Sequence, residues 1–410
     1  PFSTLDSTDP EDLWKYLAGY EQKTGGGAFA IPRNGNVSNG LMFAMSDFVG
    51  NPLTKDYAER RARWEPLVEV TQTKGDSEAH PLLSPTDEFA NFERWDVGNL
   101  ANPVDPKKPE MLQYEYARSA LKEGLKHEAS LGTNPFKFGM IGSTDTHTGM
   151  SSFDEDNFMG KFEMHPPGPN RWNQVFNKFA DGSTAITDWQ MQAAGIAGVW
   201  AHENTREALF DAMKRKEVYA STGPRMTVRV FAGWDFQKDE VERPDFVARG
   251  YARGVPMGGD LSKAPAGKSP TFLISAVRDP DGGNLYRVQI IKGWIDAKGE
   301  VHEHIFDVAV SGKRKIGRDG RSKTPVGNTV DVADASYTNT IGAPQLNTWW
   351  KDPTFDAKQG AFYYVRVIQI PTPRWTAYEQ KRFGIKMSKE VPVIVAERAY
   401  TSPIWYSPSS

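Results

Sequence analysis

The chain of 410 residues contains no cysteine, which removes disulfides, thiolate chemistry and any cysteine-ligated zinc from consideration. A strong excess of charge of one sign is also missing. The formal balance of -3 leaves no basic footprint for nucleic acid or for an anionic membrane. There is no apolar run long enough to span a bilayer, no internal repeat and no long low-complexity tract. What remains is the composition of an ordinary folded protein, 39% hydrophobic and 25% charged. Its length points to two or three domains. The chain opens Pro1-Phe2, without Met or signal peptide, and this predicts a mature or clipped segment of something longer.

Asp9-Pro10-Glu11-Asp12 reads as a helix start, with a capping acid, proline in the first turn and acids against the dipole. Leu13, Leu17 and Tyr20 continue one face until Gly25-Gly26-Gly27. Ala28–Pro32 reads as a short strand, and a charged helix around Lys55–Arg63 leads to a strand at Pro66–Thr71. A long helix is expected with Met111, Tyr114, Ala117, Leu121 and Leu125 on one face. Phe138–Gly142 is then a buried strand, followed by further strands at Ala197–Ala201 and Glu217–Ala220. Asn204-Thr205-Arg206-Glu207 is a capping box for the helix between these two. Strand alternating with helix predicts a parallel sheet or barrel over residues 1–224. About five strands are counted, against about eight in a closed barrel. From Arg225 onward, strands such as Thr227–Val230, Phe272–Ser275, Tyr286–Ile290, His304–Val308 and Phe362–Val367 follow one another. Turn signals such as Asp281-Gly282-Gly283 separate several of them. Residues 225–410 are therefore expected to form an antiparallel β-sandwich-like domain.

The chemistry is expected where the Phe138–Gly142 strand releases Ser143-Thr144-Asp145-Thr146-His147 into a polar loop. An anionic oxygen and an imidazole two residues apart can face one point, as a divalent metal requires. Ser143, Thr144 and Thr146 can orient them by hydrogen bonds. The bland alternative is that Asp145 caps the following turn and His147 packs beside it. Glu69 lies in an otherwise apolar strand, where a carboxylate needs a partner or a metal. Arg33 and Asn34, Glu69, Asp145 and His147, and His202 and Glu203 all lie in or just after a strand. That is the face at which barrel active sites gather.

Ile31–Phe43, Leu67–Val70 running on to Lys74–Pro81, Gly142–His147 and Trp200–Glu207 resemble a bacterial family known as domain of unknown function 3604. Tyr219–Arg225, Ile370–Trp375 and Thr401–Tyr406 extend the match to the end of the chain. That family is similar to the polymerase-and-histidinol-phosphatase (PHP) metallohydrolases. The resemblance implies an α/β fold: a distorted, incomplete β/α barrel over 1–224 followed by the β-rich domain. It also implies two or three divalent ions (Zn, Mn or Fe) held by Glu69, Asp145 and His147. Two departures stand out. The early His-x-His is absent, the first histidine being His80, so an N-terminal segment of the same protein is expected to be missing. Arg33 stands where the family has histidine, and a guanidinium cannot bind a metal, although it can hold a substrate anion bidentately.

The resemblance thus predicts a metal-dependent hydrolase of phosphoesters or similar esters, using metal-activated water. Arg33, Asn34, Lys74 and His80 are the substrate-binding candidates, the substrate a small anion, and the placement extracytoplasmic. The alternative is a non-catalytic binding protein on a degenerate barrel. A third reading gives the β domain a carbohydrate role through exposed tryptophans, with Trp349, Trp350 and Trp405 as candidates. The remaining polar features have plainer expected roles. His202 and Glu203 cap a helix, and His80 and Lys74 sit on a solvated loop. His127 ends its helix facing solvent, His302 and His304 lie on the surface, and the basic run Lys313–Lys323 is a solvated loop.

Overall fold

The computed structural model describes residues 2–101 and 103–408, so Pro1 lies outside the described residues. Asp9 caps α1 (Pro10–Thr24) by accepting the Glu11 N–H, and Gly25 ends it in the left-handed region at φ 70°. Thr54 caps α2 (Lys55–Trp64) in the same way through Tyr57 N–H. Trp14 of α1 meets Tyr57 and Trp64 of α2 in a small core. The expected strand at 28–32 is extended but joins no sheet. It is held by Ala30 N–H to Trp64 O at 2.7 Å and by Glu69 N–H to Pro32 O at 3.0 Å.

The segments carrying Glu69 and Asp145 are organised by β1 (Leu67–Gln72) and β2 (Gly139–Gly142). They pair in parallel, Leu67 opposite Gly139 and Glu69 opposite Ile141, with a register shift between Glu69 and Thr71. A bulge of this kind re-aims a side chain and ends pairing locally. Between them runs α3 (Ala117–Leu131), whose Ala117, Ala120, Leu121 and Leu125 pack with Val68, Val70 and Met140. The expected start near Met111 is instead a separate 3₁₀ turn, Pro109–Tyr114.

β3 (Ile196–Val199), α4 (Arg206–Lys214) and β4 (Val218–Ser221) follow. Thr205 alone caps α4, accepting from Ala208 N–H. The strand–helix alternation predicts a parallel pair here, but β3 and β4 are antiparallel. Helix α4 goes out and back, so β4 starts at the end where β3 stopped; a parallel partner would need a crossover to the opposite end.

The β-rich part contains β5 (Thr227–Gly233), α5 (Phe246–Arg253), β6 (Thr271–Val277), β7 (Leu285–Ile295), β8 (Val301–Val310) and β9 (Gln345–Lys351). It ends with β10 (Ala361–Gln369), α6 (Trp375–Phe383), β11 (Arg398–Thr401) and β12 (Ile404–Tyr406). β5, β6 and β9 form one antiparallel sheet. β7 lies between β8 and β10 in another, and β10 also pairs with β11 and β12. The two sheets enclose a shared core that includes Val230, Ile274, Ile290 and Val365. β10 is buried along its whole length because α3 covers its other face, where Phe362 and Tyr364 join Leu121 and Leu125.

One sheet spans residue 224, since β4 pairs with β11 as well as with β3. The fold is mixed α/β with several antiparallel sheets, and among the described residues no sheet closes into a barrel. No helix is long and apolar enough to cross a membrane among the described residues.

Candidate functional site

Asp145 leaves β2 with a φ of 49°, a left-handed backbone that aspartate tolerates better than most residues. Its carboxylate is buried and receives three cations. Arg33 Nη1 donates to Oδ1 at 2.9 Å, and Lys161 Nζ to Oδ2 at 2.5 Å. Lys74 Nζ also donates to Oδ2. Lys161 Nζ holds the Asp145 carbonyl at 2.8 Å as well, so the strained turn is fixed at two points. His147 Nε2 lies 3.3 Å from Asp145 Oδ1 and 3.3 Å from Lys161 Nζ.

Each of these groups is placed by a neighbouring element. Lys74 sits in the turn after β1, where Gly75 at φ 92° lets Gly75 and Asp76 fold back onto Gln72 and Thr71. Arg33 ends the 28–32 segment that leans on β1. Lys161 belongs to the long connection after β2, and its carbonyl accepts His147 N–H at 2.8 Å. Lys74 and Lys161 are buried, whereas the Arg33 and His147 side chains are about half exposed, at 51% and 46%. The cluster therefore opens to solvent through Arg33 and His147.

The charges act on one another. Burial works to raise the Asp145 carboxyl, but Lys74 and Lys161 override it and hold it below the usual carboxylate range. Burial and the nearby Lys161 charge bring the Lys74 ammonium down to about 8, against the pull of Asp145. Burial pushes Glu69 up, opposed first by the hydrogen bond from Ser143. Ser143 Oγ donates to Glu69 Oε2, while Glu69 Oε1 is buried with no partner among the described residues.

The structure thus brings together Arg33, Lys74, Asp145 and His147, with Glu69 alongside through Ser143. It does not bring in Asn34 or His80. Asn34 turns its Oδ1 to Gln72 Nε2 at 2.8 Å. His80 is buried against Tyr116, with Nε2 2.9 Å from Asp96 Oδ2 and Nδ1 accepting Leu82 N–H. The solvated loop expected for Lys74 and His80 is corrected: residues 73–80 are buried under Trp95 and α3, where their polar groups find internal partners. Lys161 is the participant that sequence reasoning missed, because a lysine inside a Gly/Pro-rich connection carries no local signal. His165, whose Nδ1 lies 2.5 Å from Asp188 Oδ2, escaped for the same reason.

Elsewhere, His127 is buried against Phe136 on α3 instead of facing solvent. His202 and Glu203 are exposed, the capping role falling to Thr205. Trp405 is core, while Trp349 and Trp350 are only half-buried.

This donor set does not suit a resident metal. Among the described residues no group of three or more His, Asp or Glu is arranged to hold a metal ion. The Asp145 oxygens are taken by Arg33, Lys74 and Lys161, and an ammonium cannot share a carboxylate position with a divalent ion. In this arrangement the residues do not fit a metal.

The fold and cluster define a mixed α/β protein with a buried carboxylate ringed by cations at the end of a parallel strand pair. The family model "Protein of unknown function (DUF3604)" matches residues 1–408, and the chain belongs to that family. No curated protein matches it.

Proposed function

We propose that the Asp145 cluster binds a small anionic ligand, its charged group facing Arg33 and His147 at the opening and Lys74 and Lys161 behind them. The observation that carries this reading is the sharing of one carboxylate by three cations. Arg33, Lys74 and Lys161 outnumber Asp145, and Glu69 is pushed by burial toward its neutral form. An anion would neutralise the surplus, and Arg33 offers the fork geometry suited to phosphate or carboxylate oxygens. Lys74, brought to about 8, can give or take a proton near neutrality. This is the binding reading of a metallohydrolase-like site, with ammonium groups standing where a metal would.

A second reading keeps the PHP-like ancestry and an ester-hydrolysing metal site. One observation favours it: among the described residues the buried Glu69 Oε1 has no hydrogen-bond partner, beside the parallel pair that would be the remnant of a barrel. It requires Lys74 and Lys161 to withdraw from Asp145.

Calorimetric titration of the purified chain with inorganic phosphate at low salt, alongside elemental analysis, decides between them. Saturable phosphate binding, weakened at least tenfold in Lys161→Gln, is the expected result. Near-stoichiometric zinc or manganese, lost in Asp145→Asn, would instead establish the metal reading. Neither phosphate nor a carboxylate giving heat would overturn the anion site.

A further inference from the structure

A cavity of about 190 Å³ lies away from the Asp145 cluster, between the segment at Phe153, the Pro224-Arg225 turn after β4 and the Asp279–Gly283 loop. Two of the stretches that carried the family resemblance, 219–225 and 370–375, contribute to its wall. Neither is used by the cluster around Asp145.

Its charge is one-sided. Asp154, Glu155, Asp156, Asp279, Asp281 and Glu397 line it, and Arg225 is the one cation among the described lining residues; burial pushes Glu155 and Glu397 up toward their neutral forms. Arg225 is already engaged: its backbone N–H donates to Asp279 Oδ2 at 2.6 Å and its Nη2 to Asp281 Oδ2 at 3.1 Å. Asp154 and Asp156 make no salt bridge among the described residues. Burial, followed by the charges of Asp156 and Asp279, pushes Asp154 above the usual carboxylate range.

A second observation is independent of the acids. Gln369, at the end of β10, lines the cavity, is only 2% exposed, and has an Oε1 with no hydrogen-bond partner among the described residues. Thr372 Oγ1 accepts from its Nε2 at 3.4 Å, which turns the oxygen toward Gly282 on the cavity wall. A buried amide oxygen left without a donor is costly and calls for one. Tyr337 and Tyr378 also line the cavity.

These features select among cations. A divalent metal needs several oxygens converging at about 2.0–2.6 Å, and no such group exists among the described residues. The volume is also several times the ~30 Å³ that one water takes up in the liquid. An ammonium group on a short carbon body suits both the charge and the space, because spaced carboxylates and tyrosine rings each attract it. We propose that this cavity binds a small organic ammonium ion, its charge held by Asp154 and Asp156, its carbon body against Tyr337 and Tyr378, and one N–H given to Gln369 Oε1.

The test is calorimetric titration of the full chain with butane-1,4-diamine, with butane-1,4-diol as neutral control and Ca²⁺ as the metal control. Saturable diamine binding without diol binding is expected, weakened at least tenfold in Asp154→Asn/Asp156→Asn. Both aspartates are partly or fully exposed, so the double variant should keep the wild-type circular dichroism. Gln369→Met, similar in volume but without the acceptor, should weaken binding severalfold. The proposal is overturned if the diamine gives no saturable heat, if the diol binds equally well, if Ca²⁺ takes the same place, or if the double variant binds as the wild type does. Should the variant fail to fold, the comparison of diamine with diol on the wild-type chain still decides.

Discussion

Asp145 carries more than its own charge, and its substitution tests that directly. Replacing it by asparagine keeps the shape but leaves Lys74 and Lys161 buried without their counter-ion. Removing one partner of a buried pair costs about 3–5 kcal/mol, so Asp145→Asn should lower the midpoint of thermal unfolding markedly. If the cluster accepts anions, added phosphate should recover more stability in the variant than in the wild type, by mass action on the folded state. An unchanged midpoint would mean that Lys74 and Lys161 find other partners. A second carboxylate at this scale reports through pH. Asp76 is buried, with one oxygen held by Glu78 N–H and the Arg398 and Tyr400 side chains nearby. Burial, then the Glu78 charge, raises it to about 7. The folded state therefore holds a proton that the unfolded chain releases near 4, and stability falls as pH rises between these values. Each unit of displacement is worth about 1.4 kcal/mol. Asp76→Asn should flatten the decline in unfolding midpoint between about pH 4 and pH 7; an equal slope in both proteins would assign the decline to other groups.

The elements around the cluster are held by close backbone approach. A Cβ on Gly142 would stand 2.8 Å from both the Ile196 and Ser221 carbonyl oxygens, so the end of β2 touches β3 and β4 directly. Gly142→Ala should cost about 1–3 kcal/mol by overpacking and displace Asp145, three residues on. The unfolding midpoint and the anion titration should then fall together, and a midpoint loss with wild-type binding would show that β2 shifts without moving Asp145. This contact also marks where sequence reading stopped. The caps of α1 and α4, the strands at Glu69 and Asp145, and the turn to consecutive strands after residue 225 were legible, because periodicity, capping residues and turn glycines are local signals. The antiparallel pairing of β3 with β4 was not, since it depends on which end of the strand α4 returns to. The electrostatics of the cluster were legible in part. Glu69, Asp145 and His147 stood out by type and setting, and Arg33 and Lys74 by the stretches they share with the family. Lys161 comes from a connection whose path is set by tertiary packing, and its presence places a third cation on the Asp145 carboxylate.

At the scale of the whole molecule, the chain is tied across residue 224 by charge as well as by strands. Arg118 of α3 and Arg366 of β10 share Glu78 and Asp87, all four buried, at distances from 2.5 to 3.3 Å. The two guanidinium groups hold Asp87 far below the usual carboxylate range despite its burial. Tyr364 donates to Glu78 from the same strand as Arg366. Two arginines and two acids from opposite ends of the sequence are thus mutually dependent, because each cation would be buried alone without its acid. Ser402 adds a neutral tie, accepting Met140 N–H at 3.2 Å and donating to Val218 O at 2.7 Å, so the turn between β11 and β12 stitches β2 to β4. Such sharing leaves little interface along which residues 1–224 and 225–408 could separate. Calorimetric unfolding should accordingly be one cooperative transition, with equal calorimetric and van't Hoff enthalpies. Asp87→Ala, which strips a counter-ion from both arginines, should lower that transition by about 3–5 kcal/mol without splitting it. Two resolved transitions in the wild type would show that the network joins domains that fold separately. A split confined to the variant would show instead that Asp87 is what makes them one.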